Sequence, residues 1–496
     1  MALEHFDVLV VGAGLSGVGA GYWLQKLCPK KTYAIIEARE RKGGTWDLFR
    51  YPGIRSDSDM FTLGYSFKPW TDPKAIADGP SILRYIEETA RENGIDRNIR
   101  YSQRMVSAAW SSADARWTVE VDTPDGRRQY TCGFLYMCSG YYRYDHGYLP
   151  AFAGMSDFSG RIVHPQAWPE DLDYAGKRVI VIGSGATAMT LVPEMAKTAA
   201  HVTMVQRSPT YVVARPSSDA VADWLRAKLP AKAAYHLARW KNVLFGMYFY
   251  NLCKRKPEKV KAYLLKLVRE QLPAGYDVEK DFTPRYNPWD QRLCLITDGD
   301  LFDAIKQDRA SVATDSIERF TQQGLRLTGG REIEADVIGT ATGLELQMLG
   351  GATLSVDGQQ VEPGKTLNYK GMMFSDVPNL AATFGYTNAS WTLKADLIGE
   401  YVCRILNLMD AKGQRIVVAH NDDPDMPIEG FVDFSSGYFQ RVIDQLPKQG
   451  ARKPWKLYQN YAKDLLSLRY GNVEDGVLRL SNPPANAERK KAMEAA

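Results

Sequence analysis

The sequence predicts an α/β fold: two Rossmann-like dinucleotide-binding domains that carry a helical insert. Three observations support this. An apolar strand at residues 6–11 runs into Gly12-Ala-Gly14-Leu-Ser-Gly17, and a second, at 178–182, runs into Gly183-Ser-Gly185-Ala-Thr-Ala188. Each loop opens a helical pattern and is followed by another strand, at 33–37 and 201–205, so the βαβ unit recurs at matched spacing. Between these units and the end of the chain, residues 216–272 read as helices broken at Pro230 and Pro273.

Composition narrows the class. The chain has 496 residues, 45% hydrophobic and 24% charged, which excludes a collagen, a coiled coil and a disordered chain. Its six cysteines form no C-x-x-C pair, so neither a disulfide framework nor a metal site is expected, and the usage fits a reducing compartment. The first residues carry acids where a secretory signal needs Lys or Arg. No apolar stretch approaches the ~18–20 residues of a membrane span. A cytoplasmic protein, soluble or peripheral to a membrane, is expected.

The first loop has the chemistry of a pyrophosphate cradle. Gly12 allows the tight turn, Gly14 a close backbone approach and Gly17 the packing of helix on sheet. Glu37 ends the second strand, where its carboxylate meets a ribose 2′-OH, which points to FAD or NAD. The second loop repeats the turn logic with Gly183, Gly185 and Ala188, but its strand ends in Gln206-Arg207-Ser208. A guanidinium and a hydroxyl there suit a 2′-phosphate, so NADPH is expected at the second site. Two more apolar strands end in glycine, at Gly140 and Gly343. The expected domains are FAD-binding over 1–140 and 371–496, NADPH-binding over 141–214 and 293–370, and the insert over 215–292.

Such a chain moves hydride from NADPH to flavin and then to an acceptor. A disulfide reductase needs a redox pair beside the flavin. Cys132 and Cys138, with five residues between them on an expected strand whose alternation points both to one face, read as core residues. Oxygen is the remaining natural acceptor.

Between the loops lies Phe158-Ser-Gly160-Arg-Ile-Val-His164-Pro-Gln-Ala-Trp168-Pro169. It resembles the fingerprint of the type I Baeyer–Villiger monooxygenases, whose N- and S-oxygenating relatives end the motif in Tyr or Phe. Segments 43–59, 164–174, 183–188, 206–211 and 286–294 are further similar to the ethionamide-activating (EthA-like) subgroup, and the resemblance runs from residue 6 to about 475. It implies that reduced FAD and O2 form a C4a-peroxyflavin that attacks a ketone and gives an ester or lactone. Sulfides and thiocarbonyls would be oxygenated by the same species. An N/S-oxygenating flavin monooxygenase is the alternative, and a non-catalytic membrane-docked flavoprotein a remote one.

The resemblance also implies site residues. Arg292 would be the catalytic cation, Asp57 would orient it beside the flavin, and Asp59 competes with Asp57 for that place. Gly12, Gly14, Ser16, Gly17, Glu37, Gly44, Thr45, Trp46 and Asp57 would hold FAD. Arg55, Ser56, Gly183, Ser184, Gly185, Ala186, Thr187, Ala188, Arg207 and Ser208 would hold NADP. Gln291 stands where many family members have Lys, so NADPH preference rests on Arg207 and Ser208. His164 reads as a hinge residue between domains, not a proton shuttle.

Charge is unevenly spread along the chain. Residues 221–269 hold twelve Lys or Arg against Asp223 and Glu258, hence +10 in a chain of +4, which leaves −6 for the rest. With Trp240, Phe245, Tyr248, Phe249 and Tyr250 interleaved, the segment has the mixture of an interfacial helix. Peripheral membrane contact through 221–269 is one expectation, and an insert packed on the other domains is the other. No nucleic-acid reader motif accompanies the charge.

Overall fold

The computed structural model describes residues 3–432 and 435–484. The polar tail expected to fray lies outside the described residues from 485 onward. Strand β1 (Glu4–Val11) is buried from Val8 inward. Helix α1 (Leu15–Leu27) follows, burying the small residues Gly17, Gly19, Ala20 and Gly21 so that it lies close on the sheet. It leads to β2 (Tyr33–Ile36), parallel to β1. The other neighbour of β1 is β3 (Gly126–Met137), also parallel. β3 is long enough to serve two partners along its outer edge. Its first half pairs antiparallel with Arg116–Thr123, and its end pairs parallel with Leu380–Ala382. The C-terminal part of the chain thus returns to the first domain, within a nine-stranded sheet.

The second domain is a five-stranded, all-parallel sheet. At its centre is β4 (Arg178–Ile182), followed by α2 (Ala186–Met195) and β5 (His201–Gln206). An apolar run buried on both faces is what such a parallel strand requires. Helices α3 (Ala220–Lys228), α4 (Ala231–Arg255) and α5 (Pro257–Glu270) form the insert. They leave and return through Val212–Arg215 and Cys294–Thr297, which pair with each other. Asp219 caps α3 by accepting from the Val221 and Ala222 amides. Strand β6 (Val337–Thr340) completes the centre of the second sheet beside β4.

Residues 353–356, within the stretch expected to be NADPH-binding, pair with 107–110 of the first sheet. Helix α6 (Trp391–Lys412) packs on α1, where Trp23 Nε1 donates to Asp396 at 3.3 Å. The inner face of α4 is tied to the first domain. Buried Arg239 donates to the carbonyls of Phe61 and Gly64 at 2.8 and 2.7 Å, and the Tyr235 hydroxyl donates to Tyr65 at 2.8 Å.

Candidate active site

Both glycine loops open on one cavity of about 1420 Å³. Gly12 has φ +102°, and a Cβ there would lie 2.6 Å from the Cys138 carbonyl oxygen. A Cβ on Gly17 would lie 1.8 Å from the Gly12 carbonyl oxygen, so this turn admits no side chain. Gly183 repeats the arrangement at φ +132°, against the Ala341 carbonyl. Gly185 has open space where its Cβ would be, and it faces the cavity. These cradles fit two pyrophosphates, each at a helix N-terminus with unpaired N–H groups.

Around the first loop, Glu37 is buried, and its carboxylate accepts from the Ala13 amide at 2.7 Å and the Arg39 amide at 2.9 Å. Burial raises its pKa, against the pull of those amides. Ser16 Oγ accepts from Trp391 Nε1 at 2.7 Å. Gly44, Thr45 and Trp46 line the same wall. The neighbouring Asp47 is buried and ion-paired with Arg39 and Arg50.

Around the second loop, Ser184 Oγ donates to the Ser208 carbonyl at 3.1 Å, and Ala186 and Thr187 line the cavity. Ala188 is buried beneath it. Arg207 is exposed in the cavity wall, with no carboxylate in ion-pair range among the described residues. Arg55 pairs with Asp300 at 2.6 Å, and its buried Nη2 has no hydrogen-bond partner among the described residues. An orphaned buried guanidinium nitrogen at the edge of this cavity suits a phosphate or ribose oxygen. Ser56 is buried, with Oγ accepting from the Ser58 amide at 2.9 Å.

Arg292 and Asp57 meet in the same cavity, Nη2 to Oδ2 at 2.6 Å. Asp59 has other partners. Asp59 caps the short helix Met60–Leu63, accepting from the Thr62 amide at 3.0 Å, and accepts from Asn242 at 2.9 Å. Arg292 ends a pinned loop. Trp289 sits at φ +69°, an unfavourable conformation for a bulky residue. Lys254 of α4 pairs with Asp290 at 3.0 Å, and the Ser435 amide and hydroxyl donate to the Asp290 carbonyl at 3.0 and 2.9 Å. The Asp57 carboxylate raises the Arg292 pKa above its ordinary value, against the opposing effect of burial.

Three tyrosines that sequence reasoning missed surround this pair. Arg292 also donates to the Tyr438 hydroxyl, and the hydroxyls of Tyr141 and Tyr142 lie 2.9 Å apart beside it. Burial pushes all three phenols up, so they stay protonated at neutral pH. Tyr141 stacks on Trp391 at 5.0 Å, giving the cavity an aromatic wall, and also approaches Phe384 and Phe439. No local spacing marks these residues, because they come from 141–142, 384–391 and 438–439. His164 lies away from the pair. Its Nδ1 accepts from the Gln166 amide at 3.2 Å, which leaves Nε2 to donate to the Gly343 carbonyl at 3.2 Å. Burial lowers its pKa, so the ring is neutral and bridges two chain segments.

Comparisons with known proteins fit this geometry. A family model described as "Flavin-binding monooxygenase-like" matches residues 66–225, and one described as "NAD(P)-binding Rossmann-like domain" matches 10–71. The chain is 56% identical to the FAD-containing monooxygenase EthA of Mycobacterium tuberculosis, over 97% of this chain and 99% of that protein. It is 46% identical to the probable FAD-binding monooxygenase AlmA of Acinetobacter baylyi, over 98% of each. Among solved structures it is similar to an oxidized steroid monooxygenase bound to NADP (TM-score 0.77, 22% identity) and to an open cyclohexanone monooxygenase (TM-score 0.73, 19% identity). Each match covers 97% of this chain and 100% of the other. FAD and NADP are the cofactors of this fold. The chain belongs to the EthA-like FAD-containing monooxygenases.

Proposed function

We propose that this monooxygenase inserts oxygen beside a ketone carbonyl to give an ester or lactone, and oxygenates sulfides and thiocarbonyls at the same site. The observation that carries the reading is the Arg292–Asp57 pair at 2.6 Å, inside the cavity that both glycine loops line. When bound, NADPH supplies the hydride and the reduced flavin activates O2.

The chain's own residues supply the rest. Arg292 cannot give up its proton, so it holds a fixed positive charge against the negative charge that develops on the carbonyl oxygen. Asp57 holds the guanidinium at 2.6 Å, and the Tyr438 hydroxyl lies beside it. The Tyr141–Trp391 wall is apolar and favours a lipophilic substrate. Gly12 to Gly17 would receive the FAD pyrophosphate, with Glu37 on the ribose. Gly183 to Ala188 would receive that of NADP, with Arg207 and Ser208 on the 2′-phosphate and Arg55 and Ser56 at its other end.

Product analysis on a ketone and a sulfide side by side tests the reading. Ester or lactone from the ketone supports it, whereas sulfoxide with the ketone untouched assigns the N/S-oxygenating class instead. Two substitutions probe the supporting residues. Arg207→Ala is expected to raise KM for NADPH about 10- to 100-fold, the loss of a charge-assisted phosphate contact, and to leave KM for NADH unchanged. An equal rise for both nucleotides would remove Arg207 from the 2′-phosphate. Tyr438→Phe removes one partner of Arg292, and kcat on the ketone should fall about tenfold with KM for NADPH unaltered. An unchanged kcat would show that Asp57 alone orients the guanidinium.

A further inference from the structure

The helical insert resolves the uneven charge of the chain into a surface. Six of its twelve cations are ion-paired: Arg226, Arg239, Lys241, Lys254, Lys266 and Arg269. Lys261 donates to the Pro284 carbonyl. The other five, Lys228, Lys232, Arg255, Lys256 and Lys259, are exposed, with no carboxylate in ion-pair range among the described residues. They flank α4 at its two ends, and α4 is 25 residues long, about 37 Å.

The outer face of α4 between those ends is mainly apolar, with one cation, Lys241, that is neutralised by its ion pair with Asp219. Leu237, Trp240, Leu244 and Tyr248 recur at helical spacing along one stripe, with Phe245 beside it, and are 50%, 39%, 56%, 65% and 52% exposed. Trp224 of α3 and Tyr263 of α5 are exposed as well, at 62% and 58%. The opposite face of α4 is already occupied, by Tyr235, Ala238 and Arg239 against the first domain. An insert packed by its whole apolar surface is therefore not what the chain builds. A contiguous exposed row of this kind marks an interaction site.

We propose that the outer face of α4 docks on an anionic lipid surface. Aromatic and aliphatic side chains on one stripe, with unpaired cations at both ends, match an interface that is apolar inside and negatively charged at the headgroups. A second copy of the chain is a poor occupant. A two-fold contact through this face would bring one set of unpaired cations onto another. No helix among the described residues is long and apolar enough to cross a membrane, so the contact is peripheral. The C-terminal half of α4 also braces the Arg292 loop, through Tyr250 on Trp289 at 5.8 Å and Lys254 on Asp290 at 3.0 Å. Docking would hold the cavity close to a reservoir of lipophilic substrate.

The test is sedimentation of the FAD-loaded enzyme with phosphatidylglycerol–phosphatidylcholine vesicles and with pure phosphatidylcholine vesicles. Binding is expected to the anionic vesicles only, and to weaken as salt rises. Lys228→Glu with Lys232→Glu should lower the partition coefficient at least about 25-fold, about fivefold for each cation lost. Leu244→Glu with Tyr248→Glu should lower it at least as far. Both variants should keep the bound flavin, the melting temperature and NADPH oxidation of the parent. Enzyme that stays in the supernatant with both vesicle types at low salt overturns the proposal. So does a dimer by light scattering that Leu244→Glu with Tyr248→Glu turns into monomers, since a second copy would then cover the face.

Discussion

Arg292→Ala is expected to lower ketone oxygenation about 10²- to 10³-fold, the usual cost of removing one group that stabilises developing charge. Flavin should stay bound, because Arg292 touches neither glycine loop and the loop that carries it is pinned by Lys254, Asp290 and Ser435. NADPH oxidation should continue, with its electrons ending on hydrogen peroxide instead of product. The variant thus separates reduction from oxygen insertion, which a merely structural Arg would not do. Arg292→Lys keeps the charge and loses the planar fork that Asp57 and Tyr438 hold, so its activity should fall between parent and Arg292→Ala. Unchanged ester formation by Arg292→Ala would remove the guanidinium from the chemistry.

The second large effect is structural and separates the two glycine loops. Gly17→Ala places a Cβ 1.8 Å from the Gly12 carbonyl oxygen, a backbone atom with nowhere to go. Helix α1 must leave the sheet, so about 3 kcal/mol of stability or more should be lost together with bound FAD. Gly185→Ala meets open space and an extended backbone at φ −81°. The fold and the flavin should survive, while KM for NADPH rises about tenfold, because the new methyl group takes the place a pyrophosphate would occupy. The absorbance of bound flavin, the melting temperature and the two KM values distinguish these outcomes. Loss of flavin from Gly185→Ala, or a stable yellow Gly17→Ala, would contradict the assignment of the loops.

Much of this was legible because it is local. A strand, a glycine turn and a helix N-terminus lie within about 30 residues of each other, and the residue type ending the next strand tells one ribose from the other. What the sequence left open depends on distant pairing. Asp57 and Asp59 are equivalent in pattern, and only the helix that Asp59 caps and the arrival of Arg292 at Asp57 separate them. Tyr438 and the Tyr141–Tyr142 pair reach the site from segments about 300 residues apart, so no spacing marks them. The pairing of residues 353–356 was not legible either, because a short strand gives no sign that its partner, 107–110, lies far back in the chain. Exposure of the α4 stripe was undecidable for a similar reason. A helix apolar on both faces looks the same in sequence whether one face or two are covered.

The central claim is oxygen insertion beside a ketone at the Arg292–Asp57 site, and labelled oxygen tests it most directly. The FAD-loaded enzyme is incubated with NADPH, 18O2 and a lipophilic ketone, and the product is read by mass spectrometry against the NADPH consumed. The account predicts an ester or lactone carrying one 18O atom in near-equal amount to NADPH oxidised, and its loss in Arg292→Ala. Complete consumption of NADPH to hydrogen peroxide with every ketone tried, alongside an 18O-labelled sulfoxide from a sulfide, would contradict it.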